Sequence, residues 1–231
     1  MNPFKKAFLR IHFFHKISPT ENKYLYLLIS LMFFALVSPF VSTSFLARFV
    51  NTVLVSIVIV FCLYAEYESK RVDYFEFGLG LIAFIATWIN YFFDFIPFVN
   101  IITLISYGFF FLYFVIELIS RIVISTIVSM NLIYAAIVGF ITIAIIGSVF
   151  AAIIHLIVPS AYNFYVDPQF QIFENYIYYS FITVTTVGYG DELPIHPASK
   201  MLAIFLSVSA HMYSTIVMGM IIGKFISYKN S

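Results

Sequence analysis

Apolar residues run through this chain in long blocks separated by short polar breaks. A helix crosses the hydrocarbon core of a bilayer with about 20 mostly apolar residues, within a range of roughly 17–25. Six blocks meet that length: 24–41, 49–65, 77–95, 99–119, 132–158 and 201–226. A further segment, 173–186, is too short to span and mixes in polar residues. It lies between the fifth and sixth blocks, where a re-entrant helix would sit. The pattern predicts an all-α integral membrane protein with six transmembrane helices plus one re-entrant helix and loop.

Shorter patterns flank these blocks. Phe4, Phe8, Ile11 and Phe14 recur at helical spacing opposite Lys5, Lys6 and Arg10, as in a helix lying in a membrane surface. Ser18-Pro19-Thr20-Glu21 reads as a capping box with proline at the first helical position, opening the first span. Arg121, Ser125 and Ser129 form a thin polar stripe at spacing four, which predicts a short interfacial linker helix over 121–130. The plainer alternative is that this stretch continues the fourth span. The chain thus divides into an amphipathic segment at 1–23, a four-helix domain at 24–120, a linker at 121–130, a second domain at 131–226 and a short tail at 227–231. With so little chain after the sixth span, no cytoplasmic ligand-binding domain is expected on this polypeptide.

Composition agrees with the bilayer reading. The chain is 62% hydrophobic and 10% charged, with a mean hydropathy of +1.01. Soluble domains are nearer half apolar and a quarter charged. A net charge of +1 gives no footprint for nucleic acid. Cys62 has no second cysteine to pair with and sits in an apolar run, so it reads as a small packing residue. The first strong apolar run begins at Tyr24 and no small-residue cleavage site follows it closely, so no cleavable signal peptide is expected. With the N-terminus inside, the inner flanks hold Lys5, Lys6, Arg10, Lys16, Lys23, Lys70, Arg71, Arg121, Lys224 and Lys229, and the outer flanks only Arg48 and Lys200. That bias places both termini in the cytoplasm of a multi-pass protein, expected in the plasma membrane.

The chemistry is concentrated in Thr185-Thr186-Val187-Gly188-Tyr189-Gly190-Asp191, a short polar loop between the last two spans. This segment resembles the filter of the potassium channel superfamily, in its six-transmembrane, one-pore-loop form. The likeness covers 132–226 well and the first four spans loosely. A dehydrated potassium ion needs oxygens in place of its water shell, and backbone carbonyls supply them without fixed charge. Aiming successive carbonyls at one axis requires alternation between ordinary and positive-φ conformations, which Gly188 and Gly190 take without steric cost. Val187 and Tyr189 then turn outward into surrounding protein. The resemblance implies that the carbonyls of Thr186, Val187, Gly188 and Tyr189, with the Thr186 hydroxyl, hold the ions. It also implies a homotetramer, because the chain carries one such loop and the family's filter uses four. Potassium is then the transported substrate, and no cofactor or nucleic acid is expected; no cytoplasmic regulator can be named.

Tyr178-Tyr179-Ser180-Phe181-Ile182-Thr183-Val184 resembles the family's pore helix, with Tyr178, Tyr179, Thr185 and Asp191 as filter support. Two positions depart from well-known members. Ile182 replaces a glutamate that some bacterial channels bury behind the filter. Tyr178 replaces a tryptophan that donates to the filter's aspartate, so a tyrosine hydroxyl must serve Asp191 or simply pack. In the sixth span, a gap-free count from Asp191 puts Ala210 where the family often has its hinge glycine. The same count turns His211, Ser214, Met218 and Ile222 toward the axis, at spacings 3, 4 and 4. Gly219 and Gly223 leave flexibility further in.

The fourth span lacks the family's repeated gating charges. Between 99 and 116 there is no lysine or arginine, and Glu117 and Arg121 sit only at the inner end. Glu66 near the inner end of span two resembles an acidic partner, while Asp94 falls near the outer end of span three. Weak voltage dependence follows. Among rival classes, Gly188-Tyr189-Gly190-Asp191 also spells the GxGD motif of intramembrane aspartyl proteases, with Asp94 as the candidate second carboxylate. Against that, Asp191 runs into an exposed turn, Glu192-Leu193-Pro194, instead of a continuous span. A potassium transporter subunit would carry several degenerate loops, and a nonselective cation channel a broken filter. His12, His15, His155 and His196 show no metal-ligand spacing.

Overall fold

The structure, a computed structural model, describes residues 22–38, 45–67, 74–93, 96–125, 128–164 and 173–229. The predicted surface helix over residues 4–14, the capping box at 18–21 and Asp94 lie outside the described residues. Seven helices are present among the described residues: α1 (Lys23–Val37), α2 (Phe45–Glu66), α3 (Tyr74–Phe93), α4 (Pro97–Ile124), α5 (Met130–Ile157), α6 (Phe173–Val184) and α7 (Pro197–Lys229). Two short strands, β1 (Tyr162–Asn163) and β2 (Leu193–Pro194), pair antiparallel and tie the loop before α6 to the loop after it.

Five of these helices, α2 to α5 and α7, are long and apolar enough to cross a membrane. The described part of the first predicted span is α1, with 15 residues. At 1.5 Å per residue it covers about 22 Å, less than a hydrocarbon core of about 30 Å. Outward-facing Ile29, Phe33, Ile82, Ile85 and Phe109 are all exposed, as lipid-facing side chains are.

The linker helix expected at 121–130 is not formed. α4 continues unbroken to Ile124, because no glycine or proline falls between Phe109 and Ile124 and its buried stripe carries on. Phe111, Phe114, Leu118 and Ile122 follow at helical spacing, and Ile122 is fully buried. Ser129 belongs to no polar stripe. Its hydroxyl accepts from the Leu132 amide at 3.2 Å and caps the start of α5.

α5 is the central post, packed against α1, α4, α6 and α7. One hydrophobic cluster takes Leu27 and Leu31 from α1, Ile59 from α2, Phe110 and Leu118 from α4, Leu132 and Val138 from α5, Ile177 from α6 and Val217 from α7. The four-helix domain and the domain of the re-entrant segment therefore share a core. Cys62 packs inside it, buried and unpaired. Gly139 lets α7 approach closely: a Cβ there would collide with the Tyr213 hydroxyl, which donates to the Ala136 carbonyl at 2.9 Å.

The end of the bundle where α1 and α5 begin and α2, α4 and α7 finish is held by charge. Glu66 is buried and forms an ion pair with Arg121. Tyr24 donates to its Oε1 at 3.1 Å, and Arg121 Nη2 donates to the Glu66 carbonyl at 3.2 Å. Lys23 donates to the Tyr67 carbonyl at 2.6 Å at the same end.

Candidate functional site

At the opposite end, α6 enters from the loop after α5 and stops at Val184, followed by the loop 185–192. Its buried face includes Tyr176, Ile177, Ser180, Ile182 and Val184 and packs inward on the bundle. The helix passes directly into the loop through short bonds. The Thr185 amide and hydroxyl both reach the Phe181 carbonyl, at 3.0 and 2.6 Å, and the Gly188 amide donates back to the Ile182 carbonyl at 3.1 Å. The helix's negative end therefore points toward this loop, where a cation is favoured.

Backbone torsions in the loop alternate. Thr186, Gly188 and Gly190 have φ of 61°, 53° and 80°, and Val187 and Tyr189 between them do not. The alternation expected at the two glycines is present and extends one step earlier, to Thr186. Outside glycine the left-handed conformation costs about 1–2 kcal/mol, so Thr186 is held there against its preference. Alternating handedness is the backbone pattern that can aim successive carbonyls to one side, as oxygen ligands for a bare cation require.

Tyr178 donates to Asp191 Oδ2 at 2.7 Å, so the tyrosine makes the contact that its departure from tryptophan put in question. That hydroxyl, with the Glu192 amide on the other oxygen at 3.0 Å, holds the Asp191 carboxyl below its ordinary value. Tyr179, placed by resemblance with the filter support, is buried at 3% exposure and packs edge-on to Tyr162 at 5.3 Å between ring centroids.

Sequence reasoning passed over Glu192. Partial burial raises its carboxyl to about 7, helped by the Asp191 charge beside it. The neutral form is thus favoured in the folded protein between the ordinary value of 4.5 and about 7. The sign is fixed: Glu192's contribution to stability is greatest in acid and is lost as pH rises through about 7. Acidifying the outer solution from pH 8 to 6 should therefore neutralise Glu192 beside the loop and reduce inward current. Glu192→Gln should show the acid-level current at both values, and an unchanged pH response in that variant would reject the assignment.

α7 buries Leu206, Ala210, Tyr213 and Val217 against the rest of the chain. Ala210, the stand-in for a hinge glycine, is fully buried beside Val184 and Ala144. His211, Ser214, Met218 and Ile222 all lie on exposed surface, apart from that buried stripe.

A bundle of membrane-length helices with a short helix and a loop of alternating φ before the last one is the arrangement of a multi-pass membrane channel. The family model described as an ion channel matches residues 101–227, more than half of the chain, and the chain belongs to this potassium-channel-like superfamily of ion channels. The family is one of channels and not of enzymes, which removes the aspartyl protease reading. No curated protein and no solved structure matches the chain.

Proposed function

We propose that four copies of this chain form a channel selective for potassium, conducting passively through the carbonyls of residues 186–189. The observation that carries this reading is the positive φ at every second residue, Thr186, Gly188 and Gly190, in a loop of filter sequence. Homotetrameric assembly is supported by what the single chain leaves bare. Val187 is 52% and Tyr189 73% exposed, although irregular backbone at membrane depth needs surrounding protein. Neighbouring subunits supply that cover and complete four-fold rings of carbonyls. His211, Ser214, Met218 and Ile222 then line the cavity inside the filter.

In this reading the chain crosses the membrane six times, with both termini on the cytoplasmic side of the plasma membrane. Lys23, Arg121 and Lys224 all reach the same end of the bundle, as a positive-inside arrangement requires. Voltage dependence is shallow. One charge moved through the membrane is worth about 2.3 kcal/mol per 100 mV, and steep gating takes several per subunit. α4 offers only Arg121, and Glu66 holds it.

The test is reversal potential with potassium on one side and sodium on the other. Selectivity of about 100 to 1 shifts it by about 118 mV at 59 mV per tenfold. A reversal near zero would instead mark a nonselective cation channel.

A further inference from the structure

The last helix is tied to the rest of its own chain at three polar points, Ser199, Tyr213 and Lys224, and the third lies beyond its two late glycines. Tyr213, Val217 and Lys224 fall on one face of α7, and the first two are buried. Lys224 carries that face toward the helix's end. Its ammonium donates to the Ile122 carbonyl at 2.6 Å and the Val123 carbonyl at 2.9 Å. Both acceptors belong to the last turn of α4, which ends at Ile124. The final carbonyls of a helix lack partners inside it and carry the negative end of its dipole. An ammonium there satisfies acceptors and charge together. The end of α4 is itself fixed, since Arg121 is paired with buried Glu66. Lys224 therefore grips a helix end that is itself tied to α2.

Gly219 and Gly223 stand just before it. A Cβ added at either would meet nothing within 4 Å, so neither serves close packing within the subunit. Their effect is on the backbone, where each glycine weakens a helix by about 1 kcal/mol relative to alanine. The weakest stretch of α7 thus lies between its buried anchor, Tyr213 and Val217, and the tie made by Lys224. When the tie breaks, the long lysine stem lets the ammonium reach water at the membrane surface, so the released state is also satisfied.

We propose that Lys224 is a gating latch, which holds the end of the last helix outward against α4 of its own subunit and so keeps the pore open. Bending at Gly219 and Gly223 and release from Ile122 and Val123 are one event, and it lets the four helix ends converge. The direction follows from the geometry: α4 belongs to the outer collar, whereas the face bearing His211 and Met218 points away from it toward the axis. This regulation rests on the pore proposed above.

Single-channel recording in symmetric potassium at fixed voltage tests it. Lys224→Met should lower the open-to-closed ratio at least tenfold with unitary conductance unchanged, and Lys224→Arg should stay within threefold of the parent. An unchanged or raised ratio in Lys224→Met overturns the latch. A second arm avoids any failure to fold. Lys224→Cys channels already in the membrane are treated with an aminoethyl thiol reagent, which rebuilds an ammonium at about lysine length. The open-to-closed ratio should rise at least fivefold and fall again on reduction. The parent, whose Cys62 is buried, should not respond. Equal rescue by a neutral reagent of the same length would show packing, not charge, and overturn the proposal. Loss of potassium selectivity in the parent would sink the pore reading alone, because the open-to-closed ratio is read from any cation current.

Discussion

Replacing Gly188 by valine should abolish potassium current while leaving the subunits able to associate. Gly188 sits at φ 53° with nothing within 4 Å of an added Cβ, so space in the subunit is not the obstacle. The obstacle is the backbone. A β-branched residue in the left-handed region is a strong outlier, costing at least about 1–2 kcal/mol per copy. In the proposed tetramer that penalty falls four times around one axis. The chain relieves it by returning φ to negative values, which rotates the peptide and swings a carbonyl off the ion path. Each rotation removes one ligand from a ring of oxygens that replaces the ion's water shell. Recording in bilayers alongside mass measurement in detergent separates the two effects. An assembled variant that still passes potassium at parental conductance would show that the alternation at 188 is not the conduction path.

The largest loss of stability should come from Arg121→Met. Arg121 is 14% exposed and its partner Glu66 only 2%, so the pair is nearly dry. Glu76 and Glu117, also buried, act on the same guanidinium. Removing one partner of a buried pair leaves an uncompensated charge and costs about 3–5 kcal/mol. Glu66→Gln combined with Arg121→Met removes both charges and should recover part of that loss. Thermal unfolding in detergent reads both variants. If Arg121→Met alone melts with the parent, the buried pair contributes nothing and that end of the bundle is held by packing.

What could be read in advance depended on where the information lies. The alternating loop was legible because it is written in consecutive residues, and positive φ at Gly188 and Gly190 follows from glycine alone. Thr186 at φ 61° was not, since its conformation is imposed by the glycines and bonds around it. Helix existence followed from apolar length, but the end of α4 did not. The polar stripe of Arg121, Ser125 and Ser129 suggested a new helix, whereas burial of Ile122 decided for continuation. Glu66 and Arg121 each stood out as ionisable residues in apolar spans. Their pairing, across 55 residues of chain, needed the fold. The tie from Lys224 to α4 was illegible for a different reason: its acceptors are backbone carbonyls, which every residue has and no side chain announces.

The core shared by the first four helices and the last three means that the pore is not a detachable module. The Tyr24 amide donates to Asn131 Oδ1 at 3.3 Å across 107 residues, joining the start of α1 to the start of α5. A fragment beginning near residue 130 would leave the buried Asn131 amide without that partner and Lys224 without its carbonyls. Lipid can replace the apolar neighbours of α5, but it offers no donor or acceptor in their place. Recombination that exchanged the collar for another, as a cassette, would have to rebuild both ties at once. The two halves are therefore constrained to diverge together, with each substitution at the seam felt on both sides.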